Sequence, residues 1–349
     1  MFEFTDTSLK KIIIHGIGKK ADNEGVNLSK SPAVLDEEVN DLLMKYFLNP
    51  FKSEEFYEFT HDDSLDQNTL FNLVKEIFEN PDENFVEKSE KIAWHLYNVS
   101  VHPKITAGEM YVVYFDNVLV DELEVDAIGI FKSETKDNFI KVFEKNSNYE
   151  VAHETGINIK KLEKGCLIFN DEDDTGYKIS IVDKLNKSNE AAYWRDEFLN
   201  VTNRKDNYSK TSNFLDIVKG FSEHVLSEEN EVETQDKIAF LQRTQQYFKD
   251  KEQFNENTFE NDVIGEESVV QAFNDYKNEY IESSELPPIE DNFDISKSAF
   301  KANNKYFRSI IKLDKNFHIY VHSKPEYIEK GFNEDTKMKF YKLYYNSEE

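Results

Sequence analysis

Three sets of side chains have the types and spacing that chemistry would need. The first is Glu134-Thr135-Lys136, closing an apolar stretch, with Asp121 and Asp126 upstream. Paired carboxylates can hold Mg²⁺ while a lysine stabilises developing charge, so this set spells a divalent-metal nuclease. Acid-x-lysine triplets also arise by chance in a chain with 69 acidic and 42 basic residues, which makes the nuclease the alternative rather than the main expectation. The second is His318-x-Tyr320-x-His322, two histidines on one strand face with no third metal ligand near them in sequence. The third set is basic and breaks no bonds. Lys184, Lys187, Arg195, Arg204, Lys205 and Lys210 follow one another with Tyr193 and Trp194 beside them. From Lys184 to Gly220 seven basic residues stand against five acidic, in a chain of net charge −27. Cationic side chains at phosphates release counterions, and Asn189, Asn203 and Ser209 are placed to hold register without reading bases. These six cations are the expected DNA contacts.

Other suggestive residues read structurally. His15 lies in an apolar strand, and His95 and His102 are too far apart for one helical turn. Trp194 and Phe198, spaced i, i+4, have the spacing of core anchors. Cys166 sits mid-strand as a core thiol, and as the single cysteine it excludes an internal disulfide and suits a reducing cytoplasm. Asp171–Asp174 lacks the calcium-loop pattern. With no glycine-rich phosphate loop, serine elbow or Cys/His pair, no catalytic residue, cofactor or metal is expected. The N-terminus shows no basic-then-apolar leader and no apolar run reaches membrane length, so a soluble cytoplasmic protein is expected.

The elements that must position these residues are of two kinds. Leu9–Gly18, Gly108–Ser133 with a turn near Asp116-Asn117, Phe139–Phe143, Tyr149–His153, Gly165–Asp171 and Tyr177–Leu185 read as strands. Val34–Phe47, Asn68–Glu79 and Glu83–Val99 have helical periodicity, the last two split at Asn80-Pro81. From Ser188 to Ile281 the pattern is helical, and residues 221–300 carry 20 acidic against 6 basic side chains. After Leu286-Pro287-Pro288 the charge reverses. A hairpin is expected around Asp314-Lys315-Asn316, and Lys337–Tyr345 alternates lysine with aromatic residues, so that Lys337, Lys339, Tyr341 and Leu343 share a face. With Lys312 and Lys315 these lysines form a second basic surface or a protected sheet edge. The expected architecture is α+β: a 1–186 domain with an antiparallel sheet and segregated helices, a 187–285 helical region, and a 286–349 β-hairpin portion.

The ordered set LKKIIIHGIG, YVVYFDNVLV, LEVDAIGIFKSE, INIKKLEKGCLIFN and YWRDEFLNV-TNRKDNYSKTSNFLDIVKGF resembles the bacterial nucleoid-associated proteins of the NdpA type. The resemblance spans roughly 9–345 and is most characteristic over 160–226. It implies a cytoplasmic protein of the nucleoid, associated with double-stranded DNA and without enzymatic activity. The net charge implies that DNA contact is local, weak and salt-dependent. It also suits an acidic surface that engages a basic DNA-handling protein such as a topoisomerase, or an adaptor that touches no DNA. A homodimer would pair two weak basic patches into one footprint.

Overall fold

Apolar runs too long to alternate call for a sheet buried on both faces, and Gly108–Ser133 builds one. The computed structural model describes residues 2–121, 123–183, 193–227, 230, 232–284, 286–307, 310–314, 316–322 and 324–347, with the side chain of Lys312 excepted. The chain divides into two compact units, Met1–Arg204 and Lys205–Glu349. The fold is α+β.

In the first unit the elements run β1 (Phe2–Glu3), β2 (Ser8–Ile17), β3 (Val26–Asn27), α1 (Glu37–Leu48), β4 (Tyr57–Phe59), α2 (Thr69–Glu79) and α3 (Pro81–Val99). Next come β5 (Gly108–Val120), β6 (Leu123–Ser133), β7 (Asp137–Lys145), β8 (Asn148–Gly156), β9 (Lys164–Phe169) and β10 (Lys178–Asp183). A π-helical turn at Tyr193–Leu199 and β11 (Val201–Asn203) complete the unit. The main sheet is antiparallel, ordered β11-β4-β10-β9-β6-β5-β2-β3 with β1 on β5. Successive side chains point to opposite faces. Ile13, Val112, Ile128 and Ile168 therefore meet α2 and α3, while Ile12, Val113, Phe131 and Leu167 meet α1. Phe47 of α1 stacks on Phe131 with centroids 4.2 Å apart.

Caps set the helix ends. Asp36 accepts from the Val39 amide at 2.8 Å, so α1 begins at Glu37 rather than at Val34, which is fully exposed. Asn68 caps α2 through the Phe71 amide, and Asn80 caps α3 with Pro81 as its first residue. The turn expected at Asp116-Asn117 is instead a bulge. The β5–β6 register shifts there, Asn117 takes a left-handed φ of 53°, and the pair continues to Val120. Lys10 pairs with Asp116 at 2.8 Å and Thr7 donates to the Asn117 carbonyl, so that β2 and the chain before it hold the bulge. Strands β7 and β8 pair with each other and not with the main sheet. At the acidic β9–β10 turn Gly176 has φ +103°, and a Cβ there would lie 2.5 Å from the Phe59 carbonyl oxygen.

The second unit holds α4 (Asn207–His224), α5 (Thr234–Asp250), β12 (Gln253–Asn255), α6 (Glu256–Phe259) and α7 (Glu267–Ser283). β13 (Asn292–Asp294), α8 (Lys297–Asn303), β14 (Ile310–Leu313), β15 (Phe317–Tyr320), β16 (Ile328–Asn333) and β17 (Met338–Leu343) follow. Its core is built on phenylalanine: Phe214, Phe221, Phe248, Phe254, Phe259 and Phe273 pack as one cluster. Phe293 and Phe307 join that cluster from beyond residue 286. The hairpins β14–β15 and β16–β17 rest on α5 through Ile238, Ile311, Val321 and Ile328. Lys337 lies in the turn before β17 with φ 56°, so of the face expected along 337–345 only Lys339, Tyr341 and Leu343 alternate within the strand.

Candidate nucleic-acid interface

The segment that carries the expected DNA contacts is anchored by its apolar residues. Trp194 and Phe198 are completely buried, their rings 4.8 Å apart, within the core formed by α2, α3 and the sheet. His95 donates from Nε2 to the Phe198 carbonyl at 3.0 Å, and Asn68 Nδ2 donates to the Asn200 carbonyl at 3.0 Å. The Arg204 amide donates to the Phe56 carbonyl at 3.1 Å. These bonds fix the path of 193–204 along the edge of the sheet.

A buried ionic cluster fixes its start. Lys132 pairs with Glu134 at 2.9 Å and also donates to the Thr106 carbonyl at 3.0 Å; it has no exposed surface. Lys164 binds both oxygens of Asp183 at 3.0 and 3.1 Å. The Tyr193 hydroxyl donates to Glu134, and its ring lies 5.1 Å from Lys164 Nζ. Burial pushes the Lys132 ammonium down, with Glu134 opposing. Burial would raise Glu134, but Lys132 outweighs it and holds the carboxyl below its usual range. Glu134 and Tyr193 stand out in the sequence for other reasons, but Lys132, Lys164 and the pairing among them do not. The cluster's signal was a lysine inside an apolar strand, in IGIFKSE, and another opening GCLIF.

The four described members of the basic set differ in their surroundings. Arg195 is half-exposed, paired with its neighbour Asp196 at 3.0 Å and 6.0 Å from the Tyr57 ring centroid. Arg204 is largely buried between Glu58, at 3.6 Å, and Glu172. Burial works to raise Glu172, and Arg204 with Lys178 turns the balance so that its carboxyl sits below the usual range. In the second unit Lys205 is exposed with no ion pair among the described residues, and Lys210 pairs with Glu290 at 2.8 Å. Lys184 and Lys187 lie outside the described residues, as does Asn189.

The residues of the nuclease alternative are engaged elsewhere. Glu134 serves Lys132, Lys136 pairs with Glu109 at 2.6 Å, Asp121 with Lys178 at 3.0 Å, and Asp126 accepts from the Tyr114 hydroxyl at 2.6 Å. Among the described residues no group of three or more His, Cys, Asp or Glu is placed to hold a metal ion. His318 sits in β15 opposite Lys312, and His322 falls past the end of that strand. His15 is a core histidine: Nδ1 accepts from the Ser29 amide at 3.2 Å, so Nε2 carries the proton and donates to Ser89 Oγ at 3.0 Å. Cys166 is buried, and burial lifts its thiol to about 12. No described helix is long and apolar enough to cross a membrane.

A family model described as NA37, Nucleoid-associated protein YejK, matches residues 13–340. No curated protein matches the chain.

Proposed function

The chain belongs to the NA37 family of nucleoid-associated proteins, and from that premise we propose that it acts on the nucleoid without catalysis, contacting duplex DNA through phosphates along 184–210. The observation that carries the placement is the contrast between Lys205 and Arg195 on one side and Arg204 on the other. Lys205 is exposed with no ion pair among the described residues, and Arg195 is half-exposed, held by an exposed pair to Asp196 and by the Tyr57 hydroxyl. Such pairs are worth about 0–1 kcal/mol, so an incoming phosphate can replace the carboxylate. Arg204 is committed to Glu58 and Glu172 and positions the segment instead of binding. Lys184 and Lys187 extend the same segment and complete the proposed contact set; Lys210 joins if phosphate displaces Glu290.

Both units are acidic, with 40 acidic to 23 basic residues in the first and 29 to 19 in the second. A polyanion is therefore repelled at long range, and DNA association is weak, local and sequence-tolerant. The acidic surface is the proposed site for a basic DNA-handling protein such as a topoisomerase. A homodimer would bring two copies of the segment to one DNA. The test is duplex retention by Arg195→Glu/Lys205→Glu, with circular dichroism to verify the fold. Retention should fall; undiminished retention removes the segment as the interface.

A further inference from the structure

Within the second unit, α4, α5 and the two C-terminal hairpins enclose a cleft of about 940 Å³. That is at the upper end of the roughly 300–1,000 Å³ typical of ligand clefts. Its lining is unusual for an acidic unit. Four lysines reach it, Lys219, Lys237, Lys330 and Lys339, against two carboxylates, Glu223 and Asp314. Lys219 and Lys237 are half-buried, and no carboxylate pairs with either among the described residues. Lys219 instead places Nζ 4.4 Å from the centroid of Tyr306. Desolvation draws the Lys237 amine down, with Glu223 the charge that opposes it. A half-buried ammonium without a carboxylate in direct contact is costly, and an anion entering the cleft would relieve it.

Aromatic rings stand among these lysines. Phe317 is 67% exposed and Phe340 45% exposed, and Tyr341 and Tyr306 complete the set. Exposed rings beside cations, repeated at strand spacing along Met338–Leu343, offer stacking surfaces and phosphate partners together. That combination selects bases whose faces are free, and in a duplex those faces are covered. We propose that this cleft binds single-stranded nucleic acid, phosphates on the four lysines and bases stacked on Phe317 and Phe340. The site is separate from the duplex contacts proposed along 184–210 and does not depend on them.

The experiment is fluorescence anisotropy with the full chain, using a labelled oligothymidylate and, separately, a labelled duplex of equal length. The oligothymidylate should bind more tightly at the cleft, with log affinity falling against log salt at a slope of about −3, as four lysine–phosphate contacts on a single strand require. Lys219→Met/Lys237→Met keeps the aliphatic stems and should reduce that slope by about 1.4. Phe317→Ala removes an exposed ring, leaves the core intact, and should weaken binding roughly 5- to 100-fold with the slope unchanged. Single-strand affinity untouched by these substitutions overturns the proposal. So does displacement by polyglutamate as effective as by unlabelled oligothymidylate, because charge alone would then account for binding. Absence of single-strand binding by the unsubstituted chain, with duplex binding present, would overturn this inference and leave the duplex reading standing.

Discussion

Arg195 and Arg204 are nine residues apart and have different surroundings. Reversing Arg204 would set three carboxylates together at a largely buried point, and we expect Arg204→Glu to cost about 3 kcal/mol or more in chemical denaturation. Arg195→Glu, at an exposed pair, should stay within about 1 kcal/mol. Equal costs would remove the distinction between positioning and contact. His15 supplies a second expectation. Its imidazole is neutral in the fold and burial holds its pKa below the ordinary value, with Glu90 opposing and Lys30 assisting. The unfolded chain takes up a proton below about pH 6.5, and the folded one does so only at lower pH. Stability is thus complete above that point and lost as pH falls toward the folded pKa. The thermal midpoint should drop between about pH 7 and pH 5.5, and less steeply for His15→Gln; identical slopes would show that His15 does not titrate out of register. At this scale Trp194, Phe198 and Cys166 were legible because apolar residue type and periodicity predict burial. Lys132 was not, because a lysine in a strand reads as an exposed position until its partner Glu134 is seen folded in beside it.

The β7–β8 hairpin shows what an element is for by what it lacks. Ile140, Val142, Tyr149 and Val151 share one face by register and are 59–78% exposed. On the other face Lys141–Glu154 and Lys145–Glu150 pair across the strands. Two strands alone are marginal in water, and this pair adds nothing to the main sheet. Replacing 138–155 by a short Gly-Ser turn should therefore leave cooperative unfolding intact, with the midpoint shifted by no more than about 4 °C. Loss of cooperativity would mean that the hairpin supports the first unit. Strand propensity identified both members, but whether they join the sheet is decided by distant pairing that periodicity does not encode. The same limit hid the three-residue strands β4 and β11, which exist only by register with β10 and with each other. The start of α1 was legible in principle: Asp36 is a capping residue, and the apolar period drew the helix three residues too far back.

Across the molecule, α+β character and the acidic middle were legible from the order of strand and helix patterns and from charge counts. The division at 204/205 was not, because the composition shift comes earlier, while Trp194 and Phe198 tie the following segment to the first core. The basic segment consequently runs across the division, with Arg195 in one unit and Lys205 in the other. On a chain of net charge −27, the proposed affinity for DNA would have to come from a few short-range contacts. The most direct measurement is titration of the chain into labelled duplex DNA across a range of salt, with and without Mg²⁺. The account predicts weak binding that falls linearly in log salt, each phosphate contact adding about −0.9 to the slope, and a shallower slope for Arg195→Glu/Lys205→Glu. Absence of binding at the lowest salt would contradict it and move the function to the acidic surface; Mg²⁺-dependent cleavage would contradict the absence of catalysis.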